Sequence, residues 1–166
     1  MIIVGFSSTK AIMSRIIMWA TRSKASHSYI RFEVAGEPIV IHSNQHGVNC
    51  DHYTKFKKGK KIVKEYELDL TPEQEQIILA YVLKRLDSPY DFLSVLGFGW
   101  VLFCKALGRK VKNPFPNRAA YQCSEFVLRS LRDAGKLDGF NHLARERVAP
   151  EDLIKVLNDH KLATEI

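Results

Sequence analysis

His27-Ser28-Tyr29-Ile30-Arg31-Phe32-Glu33-Val34 runs into Ala35-Gly36-Glu37-Pro38 and then into Ile39-Val40-Ile41-His42. Ser28, Ile30, Phe32 and Val34 alternate with His27, Tyr29, Arg31 and Glu33, and a period of two is the pattern of a strand with one buried face. The Gly- and Pro-containing tetrapeptide between the apolar runs is a turn signal, so the stretch predicts an antiparallel hairpin. A turn centred on Gly36-Glu37 would set Arg31 opposite His42 and His27 opposite His46.

Outward from the hairpin, Met1-Ile2-Ile3-Val4-Gly5-Phe6 reads as a first strand, and Lys61 to Leu68 reads as another. Between the first strand and the hairpin, Ile12, Ile16 and Trp19 recur at helical spacing behind Ser8 and Thr9, either of which can cap a helix ending near Ser23. Thr71, Pro72 and Gln74 form a capping-box pattern with proline at the first helical position, predicting a helix to about Leu86. A further helix is expected within Tyr90 to Leu107, followed by an exposed loop from Gly108 to Asn117. Cys123, Phe126, Val127, Leu131 and Ala134 share one helical face, with Gly135 as the stop, and Pro150 opens a last helix over Glu151 to Leu157. Strands first and helices afterwards predict an α+β fold, an antiparallel sheet packed against helices.

The chain has 166 residues, a size that suits one domain spanning 1–166. It carries 25 Lys and Arg against 18 Asp and Glu, a formal charge of +7 that favours anionic partners. Neither a phosphate-cradling P-loop nor a dinucleotide glycine fingerprint occurs, and no recognition-helix or RNA-sheet signature points to sequence-specific nucleic-acid binding. The start has no signal-peptide pattern, and the nearly uncharged run Phe92 to Cys104 is shorter than the roughly 20 residues that span a bilayer. A cytoplasmic protein without a transmembrane segment is therefore expected. Cys50, Cys104 and Cys123 are too few and scattered for a disulfide framework, which leaves thiol chemistry open.

A thiol becomes a strong nucleophile as thiolate, and needs a neighbouring imidazole or a helix N-terminus to reach that form. Cys123, in the early turns of its helix, and His27, at the start of a strand, are the residue types for such a pair. His46, Cys50 and His52 are also zinc-ligand types, but their spacing lacks the paired character of structural zinc sites, so no metal or other cofactor is expected. Lys55, Lys57, Lys58, Lys60 and Lys61 read as a solvated turn that could also meet an anionic surface.

The ordered set Ser26-His27-Ser28-Tyr29-Ile30, Val40-Ile41-His42-Ser43, Pro89-Tyr90-Asp91-Phe92, Tyr121-Gln122-Cys123-Ser124-Glu125-Phe126-Val127 and Val148-Ala149-Pro150-Glu151-Asp152-Leu153 resembles the circularly permuted papain-like, NlpC-type cysteine hydrolases. The resemblance is to the YiiX-like kind, related to lecithin retinol acyltransferase and including bacterial and phage members. It implies Cys123 as nucleophile, His27 as general base and His42 as the residue orienting His27. It also implies Tyr90 and Tyr121 as substrate or oxyanion contacts, beside the backbone N–H of Cys123. The 15 residues separating His27 from His42 exceed the family spacing, so a turn or bulge is expected to absorb the excess, and His46 stays open as a rival third member. The implied activity is amide or peptide hydrolysis, with cell-wall peptide as one substrate. Thioester or lipid-ester cleavage, acyl transfer, and a non-catalytic binding module are the alternatives.

Overall fold

The computed structural model describes residues 1–44, 46–89, 104, 108–109, 111, 123–134, 138–143, 148–159 and 163–166. Its architecture is α+β. In chain order the strands are β1 (Ile2–Ser8), β2 (His27–Val34), β3 (Glu37–Asn44), β4 (Gly47–His52), β5 (Lys61–Leu68) and β6 (Ala163–Glu165). They form one antiparallel sheet in the order β4-β3-β2-β1-β5-β6. The α-helices are α1 (Ile12–Thr21), α2 (Tyr53–Phe56), α3 (Pro72–Leu83), α4 (Cys123–Leu128) and α5 (Pro150–Asp159), and α4 runs on into a π-helical turn over Arg129–Ala134.

β1 is buried along its whole length, as a central strand covered on both faces must be. One face of the sheet carries the main core: Ile2, Val4, Phe6, Ile30, Phe32 and Ile41 meet Ile78 and Val82 of α3, Phe126, Val127 and Leu128 of α4, and Leu153, Val156 and Leu157 of α5. The opposite face carries a smaller cluster, Tyr29, Val40 and Phe56, flanked by Tyr53 and Ile62. The capping box of α3 forms as its sequence predicts: Gln74 N–H donates to Thr71 Oγ1 at 3.2 Å, and Thr71 N–H donates to Gln74 Oε1 at 3.0 Å.

The hairpin departs from the expected register. Its two-residue turn is Ala35-Gly36, with φ of 52° and 83°, and Val34 pairs with Glu37. Two consecutive positive φ values define a mirror-image type I turn, whose second position is the one glycine prefers. Gly36 therefore occupies the second central position, and the pairing moves by two residues, so that Arg31 lies opposite Val40 instead of His42. The β2–β3 ladder is continuous and holds no bulge; the irregularity in the sheet lies between Phe6 and Ser7, where β1 meets β5.

Two strands and the short helix α2 were not expected from the sequence. β4 arises because Gly47, at φ 107°, turns the chain back beside β3. β6 adds a short edge strand on β5. The anticipated cap of α1 by Ser8 or Thr9 is also replaced: the N-cap is Ala11, without a side-chain cap. Ser14 Oγ instead accepts from Thr9 N–H at 3.1 Å and meets Ser26 Oγ at 2.5 Å, fastening the helix by its polar side. The expected helix over Tyr90 to Leu107, the loop to Asn117 and the Gly135 stop lie outside the described residues, apart from helical Cys104, Gly108 at φ 75°, Arg109 and Val111.

Gly5 pairs with Tyr29 across β1 and β2, and a Cβ built there would lie 2.0 Å from the tyrosine ring. The aromatic ring therefore uses the space that glycine leaves. Gly5→Ala is expected to lower stability by about 1–3 kcal/mol, read as a fall in the urea midpoint with an unchanged slope.

Candidate active site

His27 opens β2 and His42 lies on β3, and strand alternation places both on the face that carries Tyr29 and Val40. With the turn at Ala35-Gly36 the two imidazoles are diagonal neighbours across the ladder, within reach for ring side chains. His27 Nε2 lies 3.2 Å from His42 Nδ1, with the rings nearly perpendicular at 88°. The 15-residue separation thus needs no bulge. The rival, His46, sits in the exposed turn between β3 and β4, where its N–H donates to Asn44 Oδ1.

The second nitrogen of His42 finds a partner absent from the sequence reading. His42 Nε2 lies 3.2 Å from Asp51 Oδ2, and Asp51 Oδ1 accepts from Lys55 Nζ at 2.7 Å. β4 explains the meeting, because Asp51 pairs with Val40 and so shares the face of His42, one diagonal step away. The signal for Asp51 was its place in an alternating segment after Gly47, legible only once that segment is recognised as a strand.

Electrostatics keep both rings uncharged. Burial lowers the His27 pKa well below 6.5, reinforced by His42 and then by the Lys60 ammonium. His42 is also lowered by burial, although its bond to Asp51 opposes the shift. Burial alone would raise the Asp51 pKa, but Lys55 and His42 outweigh it and hold the carboxyl below 3.8. Phe56 walls the pair, its ring centroid 4.9 Å from His42 and 6.1 Å from His27.

These charge states settle the direction of each bond. Ionised Asp51 can only accept, so His42 carries its proton on Nε2 and presents a lone pair at Nδ1. His27 must then donate from Nε2. Its Nδ1 is left with the lone pair, which makes that nitrogen the basic end of the relay.

Cys123 is the first described residue of α4, a helix that lies against β2 and β3. Its neighbour Ser124 accepts a hydrogen bond from Ser28 Oγ at 3.3 Å, and Ser28 directly follows His27. Ser28 has the opposite strand parity from His27, so the helix and the imidazoles approach β2 from different faces, and they can meet only around the start of the strand. The Cys123 sulfur lies 3.9 Å from Ser124 Oγ, and among the described residues it forms no hydrogen bond with His27. Tyr90 and Tyr121 lie outside the described residues.

The remaining polar groups are used structurally. His52 caps α2 by accepting from Thr54 N–H at 3.2 Å and pairs through Nε2 with Glu37 at 2.9 Å, so it does not converge with His46 and Cys50. Among the described residues no three His, Cys, Asp or Glu side chains gather as a metal site. The lysine run is also partly absorbed: Lys55 pairs with Asp51, Lys57 lies over the Tyr53 ring, and Lys60 lies over Phe56 while donating to its carbonyl. The described cysteines, Cys50, Cys104 and Cys123, are free thiols.

No protein-family model and no curated protein matches this sequence. Among solved structures, the metalloprotein YiiX from Escherichia coli O157:H7, of the DUF1105 group, is similar over 99% of this chain and 94% of its own, with a TM-score of 0.63 and 18% identity. The chain therefore has a YiiX-like fold.

The two lowered imidazoles make stability depend on pH. Once unfolded, His27 and His42 titrate near 6.5, whereas in the fold they stay neutral to lower pH, so the unfolded chain binds more protons below that value. Stability is thus fully present above about pH 6.5 and falls on acidification, by at most about 1.4 kcal/mol per pH unit for each ring. Depressed Asp51 adds its own loss only as pH falls through the carboxylate range. Urea midpoints measured from neutral pH downward check this, and His27→Gln is expected to flatten the curve.

Proposed function

We propose that the protein is a cysteine-dependent hydrolase of the permuted papain-like, NlpC-type kind, with Cys123 as nucleophile and His27 as acid and base. The observation that carries this reading is the oriented relay from Asp51 through His42 to His27. It supports a neutral imidazole whose free nitrogen is fixed as a proton acceptor. The Ser28–Ser124 bond supports the pairing, because it ties the residues that directly follow His27 and Cys123. Catalytic hydrogen bonds are commonly long before substrate arrives, so the missing thiol–imidazole bond is compatible with the role.

In this scheme the Cys123 proton moves to His27 Nδ1, and the thiolate attacks the carbonyl carbon of an amide or ester. The developing oxyanion is met by the Cys123 N–H, with Tyr90 and Tyr121 as further candidates from the family resemblance. The imidazolium then protonates the leaving group as the bond to it breaks, leaving an acyl-thioester on Cys123. Water, deprotonated by His27, cleaves that thioester, releases the acid and restores the thiol. His42 and Asp51 orient His27 and stabilise its transient charge without taking part in bond making. The YiiX neighbour is described as a metalloprotein; here His42 and Asp51 bond to one another, to His27 and to Lys55, and among the described residues no three His, Cys, Asp or Glu side chains gather as a metal site.

The test is the rate of labelling by a thiol-directed electrophile, resolved by site and by pH. Cys123 is expected to be the fast-reacting thiol, with His27→Ala slowing it by about 10²–10⁴-fold and Cys123→Ser abolishing it. Asp51→Asn, which leaves the imidazoles but allows either tautomer, is expected to slow the reaction less and to shift its pH profile. Fast labelling at Cys50 or Cys104, with Cys123 inert, would refute the assignment.

A further inference from the structure

The row Ile12, Ile16 and Trp19, which has the spacing of a buried helical stripe, faces outward. The three residues are 76%, 47% and 73% exposed, while the helix is fastened to the body by Ser14 on its other side. An isolated exposed leucine or isoleucine means little, but three large apolar side chains in one row along about 10 Å of helix form a surface.

The charges in this stretch of chain are of one sign. Lys10, Arg15, Arg22 and Lys24 are exposed, no Asp or Glu occurs in residues 1–32, and α1 has no acidic residue in its first turn. On the helical wheel Arg15 and Arg22 share one flank of the apolar row. Beside the end of the helix an open cavity of 560 Å³ is lined by Ser8, Met18, Ser23, Lys24, Lys61 and Val63, so two ammonium groups and two hydroxyl-bearing residues face that opening.

We infer that α1 is a membrane-docking helix that lies on the surface of an anionic bilayer. Ile12, Ile16 and Trp19 would enter the headgroup–acyl boundary, where an indole is favoured, while Arg15, Arg22, Lys24 and Lys61 meet lipid phosphates. A protein partner would need an acidic rim matched to four separate cations, whereas an anionic membrane presents negative charge at every position. The Ser14–Ser26 bond ties this helix to the residue that precedes His27, so docking would set the start of β2 close to the lipid surface. The inference stands independently of the thiol chemistry.

Flotation with phosphatidylcholine vesicles, with and without phosphatidylglycerol, tests it. Binding is expected with the anionic vesicles, weakened by salt and weak with phosphatidylcholine alone. Ile12→Ser/Ile16→Ser/Trp19→Ser and, separately, Arg15→Glu/Arg22→Glu should each reduce partitioning by more than about tenfold, with circular dichroism confirming that these exposed changes preserve the fold. Lys57→Glu/Lys58→Glu should leave it unaltered. Binding to neither vesicle, binding that survives the α1 variants or is lost with the Lys57/Lys58 variant, or a dimer that the triple serine variant dissociates would each overturn the inference.

Discussion

A carboxylate can only accept hydrogen bonds, and in this protein that asymmetry decides where the protons of two buried imidazoles reside. Asp51 accepts a hydrogen bond from His42 Nε2–H, His42 Nδ1 must then accept from His27, and the lone pair emerges at His27 Nδ1. Lys55 holds the carboxyl ionised from the other side, which keeps the sequence of donors and acceptors from reversing. Burial supplies the complementary condition by keeping both rings neutral. Together these make a directional base from three residues whose side chains are individually ordinary.

The relay rests on the geometry of two consecutive hairpins. The Ala35-Gly36 turn sets the β2–β3 register, and Gly47 returns β4 so that Asp51 falls on the same face. A two-residue shift keeps every side chain on its face but changes which partners meet, so register brings His42 to His27 without altering the hydrophobic pattern. Gly5 serves the same face from the other side, because only a residue without a Cβ leaves room for the Tyr29 ring. Tyr29 in turn donates to Glu65, which also accepts from Tyr53, and this polar layer closes the smaller cluster near the imidazoles.

Positive charge has two different fates in the chain. In the lysine run, carboxylate, carbonyl and aromatic partners take up Lys55, Lys57 and Lys60, so part of the expected anionic-surface stretch is structural. Around α1 the cations have no acidic residue within the same stretch of chain and border an apolar row instead. Composition counts the two groups equally. Their surroundings separate a lysine that stabilises a turn from one that can meet a partner.

How much of this was legible follows from the range of each interaction. Alternation along β2 and β5, the Thr71-Pro72-Gln74 cap and the Phe126-Val127-Leu131 face depend on neighbours a few residues away, so the α+β class and most elements could be read directly. His27 and His42 could be named as partners from the order of motifs, and the structure brings them into contact. The hairpin register, the strand status of Gly47–His52 and the arrival of Asp51 were not legible, because they depend on which of two positions in a turn a glycine occupies and on pairing between separate segments. The outward face of α1 was not legible for the same reason: helical spacing shows that Ile12, Ile16 and Trp19 share a side, but only the fastening of Ser14 to Ser26 decides which side turns to solvent. Local stereochemistry and periodicity determined the elements, while contacts between distant segments decided partners, proton positions and exposed faces, since those energies exist only after the chain has closed on itself.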